Sequence, residues 1–315
     1  MRSSICAAVL SSATLLGQST AAPAIDTNSE RLALERRDDA SDEALKYFHE
    51  PGRDEILAHY DKRYFSGIVT DVERTDTQLH MVRAYLSFFR ERGLETWIAH
   101  GTLLGWWWNG KRLPWDVDLD TQVSNATLHQ LGQQYNQTKY EYRSPDDRIL
   151  RTYLLDVSPY IWERVKGDGM NVIDARWIDT WNGLYIDITG LSETDPDSRP
   201  GVWSCKNQHE YKTEELYPMR DTTFEGVQAK APYEYEKILK DEYRLSALSK
   251  TEYNGHYWDM DNKEWVKSEE RARMDKEAEN KRAAEAAKEK TQSRKEASQT
   301  EELKRDKLDW EASWP

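Results

Sequence analysis

The sequence predicts a mixed α/β (α+β) domain over residues 45–261 of the 315-residue chain. Apolar residues recur at helical spacing in Asp71–Arg92, whereas Trp115–Val123 and Gly183–Thr189 alternate with the period of a strand. Composition also changes abruptly from about Asn262, at the end of that span. About 215 residues suffice for one core of catalytic size, and 38% hydrophobic against 32% charged residues is too polar for a polytopic membrane protein.

Residues 1–24 read as a secretory signal: Arg2 supplies the positive start, Ile5–Leu16 the apolar run and Ala22-Pro23-Ala24 an exit of the A-x-A kind. That run is short and rich in Ser, and no other segment reaches the length of a spanning helix, so no stable transmembrane span is expected. Residues 25–44 are a polar linker or propeptide, in which Arg36-Arg37 is either a dibasic processing site or part of a solvated stretch. In Asp71–Arg92 the residues Leu79, Val82, Leu86 and Phe89 form one stripe, and Gly93 supplies the stop. Thr96–Ala99 reads as a short strand running into Gly101-Thr102, followed by a short helix over Leu103–Trp108 that closes at Asn109-Gly110. Trp115–Val123 is the first informative strand. Ser124 then caps a helix to about Tyr135. Gly183–Thr189 is the second such strand, with Asp187 between Ile186 and Ile188, and Pro232 opens a helix at about Tyr233–Tyr243. Residues 262–315 form a charged, low-complexity tail, helical in part or disordered, with little apolar content before Trp310.

From Lys267 onward positive and negative residues balance, so the net charge of −13 resides in the preceding body. An acidic body excludes wrapping nucleic acid, which needs a basic footprint. A nucleotide ligand remains compatible, because a bound divalent cation can supply positive charge. Asn125-Ala126-Thr127 and Asn136-Gln137-Thr138 are acceptable glycosylation sequons, in keeping with a secretory route. Beyond Cys6 in the signal the chain keeps only Cys205, so no internal disulfide is available to a mature form. Cys205 and His209 are a possible metal pair, but two ligands do not make a structural zinc site, and burial is the favoured reading.

The chemistry concentrates in Asp116, Asp118 and Asp120. Residues two apart on a strand share a face, so all three carboxylates would project together while Val117 and Leu119 enter the core. Three like charges on one face repel unless paired. A divalent cation removes the conflict, and hard oxygen ligands suit Mg²⁺ or Mn²⁺. A wet edge strand is the alternative, and the neighbouring Trp106–Trp108 and Trp115 argue against it.

The segment His100-Gly101-Thr102-Leu103-Leu104-Gly105, followed by Asn109-Gly110-Lys111-Arg112-Leu113-Pro114-Trp115-Asp116-Val117-Asp118-Leu119-Asp120, resembles the signature of the LicD/fukutin-related family of the nucleotidyltransferase-like superfamily. The likeness extends over about Lys46 to Tyr243 and includes Leu184–Ile188, Tyr217-Pro218-Met219-Arg220 and Phe224-Glu225-Gly226. The Trp106–Trp108 run departs from the family pattern. Lys46–Glu50 and His59-Tyr60-Asp61 resemble the family's fungal branch, associated with mannosylphosphate transfer.

The resemblance implies a nucleotidyltransferase-like mixed sheet flanked by helices. It further implies that Asp118, Asp120 and Asp187 hold the catalytic Mg²⁺ or Mn²⁺, with Asp116 an outer carboxylate or the base. Gly101 and Thr102 would let backbone amides approach the donor phosphates; Lys111 and Arg112 would neutralise the diphosphate or form a solvated pair. His100 would pack at a strand end or reach the site, and Trp106–Trp108 would stack on sugars or fill the core. The implied activity is a glycan phosphotransferase: a phospho-sugar, foremost mannose-1-phosphate from GDP-mannose, moves from a nucleotide-activated sugar donor to a hydroxyl of a mannan or glycoprotein glycan acceptor. Choline or ribitol phosphate are the other donor groups considered. The competing expectation is a non-catalytic regulator or subunit that uses the charged tail to assist a partner transferase. Either would work in the secretory-pathway lumen (Golgi) or be secreted.

Overall fold

The structure is a computed structural model that describes residues 46–50, 56–146, 148–164, 171–282, 284 and 288. The expected signal, the linker with Arg36-Arg37 and most of the chain beyond residue 282 lie outside the described residues. Those described belong to one compact unit that begins at Lys46.

The elements run α1 (Asp71–Glu91), β1 (Trp97–Ile98), α2 (His100–Asn109), β2 (Asp120–Ser124), α3 (Asn125–Gln130), β3 (Thr138–Arg143), β4 (Leu150–Val157), β5 (Ala175–Asp179) and β6 (Tyr185–Glu193). They continue as β7 (Val202–Ser204), β8 (Glu210–Lys212), α4 (Thr213–Leu216), β9 (Arg220–Phe224), β10 (Val227–Ala231), α5 (Tyr235–Tyr243), β11 (Glu252–Tyr253), β12 (His256–Asp259) and β13 (Glu264–Lys267). The main sheet has the order β1-β2-β6-β5-β4-β3, with β7 and β8 extending it from β6. Its β2–β6 pair is parallel and the remaining pairs are antiparallel, so the sheet is mixed, as the sequence predicts.

Helix α1 starts where the Thr70 hydroxyl accepts the Glu73 N–H at 3.2 Å, and the chain leaves it through Gly93 at a φ of 64° that favours glycine. Its buried face, including Met81, Tyr85, Phe88 and Phe89, lies over β5 and β6 and reaches β10. Trp177 of β5 anchors that interface, with Phe88 at 5.0 Å and Tyr153 stacked on it at 5.6 Å. Each wholly buried aromatic of this kind contributes about 1.5–3 kcal/mol through removal of apolar area from water.

Two boundaries differ from expectation. Strand pairing begins only at Asp120, so residues 115–119 are loop rather than strand. The neighbour β6 starts at Tyr185 and first meets β2 at Asp187, while Pro114 and the turn closed by Asp116 N–H on Leu113 O (3.1 Å) hold the preceding residues away. Ordered structure also continues past residue 262. β13 completes a three-stranded sheet with β11 and β12, and Trp265 packs on Trp108 and Trp115, both at 4.8 Å. A helix over residues 269–282 follows, tied to the body through Lys267, which pairs with Asp71 and with Asp275 (2.8 Å). Trp265 is the apolar anchor that the high local charge concealed. No helix among the described residues is long and apolar enough to cross a membrane.

Candidate active site

A close pass of backbone over helix builds the site. At Gly105 a Cβ would lie 2.6 Å from the Lys111 carbonyl oxygen and 2.9 Å from the Leu113 nitrogen, so the chain can double back against α2 only because residue 105 lacks one. The returning loop is then fixed in steps. Gln78 donates from Nε2 to Val117 O (2.9 Å), and the Leu119 side chain is buried in the core. The Asp120 N–H donates to Thr102 Oγ1 (2.9 Å), and the Asp187 N–H to Leu119 O (3.0 Å). Asp120 on β2 and Asp187 on β6 are register partners, which in neighbouring strands sets their backbones about 4.8 Å apart.

The carboxyl groups accordingly perturb one another. Burial pushes Asp116 well above the usual carboxylate range, and the charge of Asp118, a hydrogen bond to it and the charge of Asp120 add to the effect. Asp120 is pushed up to about 8 by burial and by Asp118, with Asp187 also contributing, while His100 opposes the rise. Burial also raises Asp187; the Arg176 guanidinium opposes this, donating from Nε to Oδ1 at 2.7 Å. Four acids thus occupy a partly dehydrated site with one buried arginine as a direct counter-charge. Such an all-oxygen, like-charged donor set fits a hard divalent cation.

The structure brings together Asp116, Asp118, Asp120 and Asp187 and places Gly101 and Thr102 beneath them. Gly101 makes room for the Asp116 carboxylate: a Cβ there would meet Oδ2 at 2.4 Å. The buried Thr102 holds the backbone of Asp120. Lys111 is instead exposed and paired with Glu264. Arg112 donates its backbone N–H to Glu225 Oε1 (2.8 Å) and its guanidinium to Leu113 O (3.3 Å). Trp106 and Trp108 pack on Tyr235 (5.0 Å) and on Trp258 (4.8 Å), and Trp107 lies against the core; all three are half-buried, and Trp108 also lines a cavity. His100 contacts Glu242 and lies near His209, whose Nδ1 is 3.4 Å from the buried Cys205 Sγ. Among the described residues, the group of three ligating atoms lying within 4.8 Å of one another is His100, His209 and Glu242; the aspartates do not close to that spacing.

Two cavities flank the acidic loop and meet at Trp115. One, of about 400 Å³, lies between His59, Arg74, Trp115 and the 269–282 helix, with Lys267 and Arg271 on its wall. His59 Nδ1 and Arg74 Nε are buried there without a hydrogen-bond partner among the described residues. Burial lowers the proton affinity of His59 although Asp118 and Asp187 oppose it. The second cavity, about 430 Å³, is lined by Gly101, Asp116, Trp108, Tyr243, Tyr253 and Trp265. His59 enters sequence reasoning only within a family motif, and Arg176 not at all. Its one signal is a charge inside the otherwise apolar run Ala175–Ile178.

Residues 93–234 match the family described as LicD/FKTN/FKRP, nucleotidyltransferase domain. Mannosyltransferase regulator 4 of Saccharomyces cerevisiae is 39% identical over 163 residues, which is 49% of this chain and 14% of that protein. Mannosyltransferase regulator 14 of the same yeast is 41% identical over 138 residues, 42% of this chain and 14% of that protein. Ribitol 5-phosphate transferase FKRP of Mus musculus is 24% identical over 163 residues, 51% of this chain and 30% of that protein. The matched region therefore spans about one-seventh of each yeast relative.

Proposed function

The chain belongs to the LicD/FKTN/FKRP family, resembling its fungal members, and on that premise we propose that it is a cation-dependent glycan phosphotransferase. The donor is a nucleotide-activated sugar, foremost GDP-mannose, and the product is a phosphodiester between mannose-1-phosphate and a hydroxyl of a mannan or glycoprotein glycan. The reading rests chiefly on the register pairing of Asp120 with Asp187 beside Asp118, three carboxyls brought to one polar site by β2, β6 and the loop that precedes β2. Asp118, Asp120 and Asp187 would hold Mg²⁺ or Mn²⁺, which when bound neutralises charge on the donor diphosphate and on the departing nucleoside monophosphate.

The chain's own groups account for the remainder. The cavity beside His59 is the proposed seat for the donor's phosphates; Arg74, Lys267 and Arg271 on its wall are paired with Asp71 and Asp275 and would exchange those carboxylates for phosphate oxygens. The cleft of Trp108, Trp115, Tyr243, Tyr253 and Trp265 offers aromatic surfaces to an acceptor sugar, with Asp116 at its edge. The acceptor O–H bond breaks as its oxygen attacks the phosphorus bearing mannose. The P–O bond to the nucleoside monophosphate breaks, and the proton passes to a base. His59 is kept neutral by burial and is able to accept that proton at neutral pH; Asp116, held protonated, is suited to the base role only once its neighbours' charges are neutralised. These assignments accord with a location in the secretory-pathway lumen or outside the cell.

The names of the yeast relatives favour a second reading, a regulator of a separate transferase that retains the fold. Full-length protein, Mn²⁺, mannan oligosaccharide and a panel of nucleotide-activated donors separate the two. The enzyme reading expects nucleoside monophosphate and phosphorylated oligosaccharide to form in equal amounts. A folded protein that produces neither with any donor, yet accelerates a co-purified transferase, establishes the regulator.

A further inference from the structure

We infer that His100, His209 and Glu242 form a second metal site beside the aspartates, sharing no ligand with them and selective for a borderline cation such as Zn²⁺. Three remote parts of the chain supply it: the first turn of α2, the turn between β7 and β8, and the end of α5. Their ligating atoms all lie within 4.8 Å of one another. Glu242 Oε1 contacts His100 Nδ1 and lies 3.9 Å from His209 Nε2, and the two imidazole centroids are 4.4 Å apart. Ligands about 2.1 Å from a tetrahedral zinc ion stand about 3.4 Å from one another. The observed contacts bracket that value, so small side-chain rotations close the site. His209 has room for them, its side chain being 33% exposed, while His100 and Glu242 are 14% and 18% exposed.

The surroundings point the same way. Cys205 Sγ is 3.4 Å from His209 Nδ1, a partner for the ring nitrogen that faces away from Glu242, as outer partners orient metal-bound histidines. His100 adopts a φ of 52°, a conformation that costs a non-glycine residue energy and recurs at functional sites. Two imidazoles and one carboxylate are a donor set for zinc, with a coordination position left open, whereas Mg²⁺ prefers oxygen alone. The two sites would therefore sort cations by softness.

Full-length protein stripped of metal is titrated with Zn²⁺ against a chromophoric chelator, and with Co²⁺ while visible absorption is recorded. One equivalent of Zn²⁺ is expected, together with Co²⁺ bands of four-coordinate intensity, and both persist in the double variant Asp118→Asn, Asp120→Asn. Glu242→Gln and the surface-accessible His209→Gln, each checked for native circular dichroism, lose at least roughly a hundredfold in affinity, whereas Cys205→Ser loses about tenfold, the scale of an outer partner. Zn²⁺ affinity equal to wild type in folded His209→Gln overturns the assignment. So does loss of the equivalent in the aspartate double variant, or absence of tight Zn²⁺ binding by the folded wild-type chain, which would leave His100 and Glu242 as a simple hydrogen-bonded pair.

Discussion

Asp120 and Asp187 stand side by side on β2 and β6, the parallel pair of the main sheet, with the Asp187 N–H bonded to the carbonyl of the residue preceding Asp120. The backbone therefore fixes two acids next to each other before any side chain adjusts. This arrangement stores repulsion that only protonation or a cation relieves.

The pH dependence follows with a definite sign. Asp120 rises from 3.8 to about 8 in the folded chain, so between those values the native state holds a proton that the unfolded state has released. Its contribution to stability is present below about pH 4 and lost as pH rises toward 8. In the absence of divalent cations the Tm should fall across this window, with a smaller fall in Asp120→Asn. Mn²⁺ should raise the wild-type Tm more at pH 8 than at pH 5. Differential scanning calorimetry with and without chelator measures both, and a cation-free Tm slope unchanged by Asp120→Asn contradicts the assignment.

Two glycines of α2 should behave in opposite ways. At Gly101 an added Cβ meets only the end of the Asp116 side chain, which can swing aside. Gly101→Ala should leave the Tm within a few degrees of wild type but lower turnover by displacing that carboxyl group. At Gly105 the Cβ meets backbone of the returning loop, so Gly105→Ala should cost about 1–3 kcal/mol in stability, as overpacking does. Thermal melts of the two variants in parallel are the check.

The segment after residue 262 divides into a structural part and the remainder. A chain truncated after Asn262 loses Trp265 from its contacts with Trp108, Trp115 and Trp258, and loses Lys267 from Asp71. Its Tm should fall by several degrees, since about 1 kcal/mol corresponds to 2–4 °C in a domain of this size. A chain ending at Arg282 keeps these contacts and should melt above the chain ending at Asn262. Equal melting of the two shortened chains would show that the last strand contributes nothing.

Much of this was legible in the sequence, and the exceptions share a cause. Helix α1, the α2 segment, the Ser124 cap and β6 follow from local periodicity and punctuation, because local hydrogen bonds and one apolar face decide them. The Asp116–Asp120 alternation predicts a strand, but pairing requires a neighbour, and β6 meets this segment only from Asp120 onward. Long-range pairing likewise hid Arg176, opposite Asp187 in the β5–β6 register, and Glu242, more than a hundred residues from His100. The motif makes Lys111 and Arg112 either phosphate ligands or a solvated pair; tertiary structure pairs the exposed Lys111 with Glu264 and bonds Arg112 to Glu225 and Leu113.

Catalysis at the paired aspartates is tested most directly at Asp120. Asp187→Asn also removes the counter-charge of buried Arg176, and breaking such a pair costs about 3–5 kcal/mol, so lost turnover there would be confounded with lost fold. Asp120→Asn relieves repulsion instead. The measurement is the initial rate of nucleoside monophosphate release by wild type and Asp120→Asn, with Mn²⁺, donor and mannan oligosaccharide, beside their Tm values at pH 8 in chelator. The account predicts a Tm at or above wild type together with a rate lower by roughly a hundred- to a thousandfold, the effect of losing one electrostatic contact to the transition state. A folded Asp120→Asn that turns over donor at the wild-type rate would contradict it.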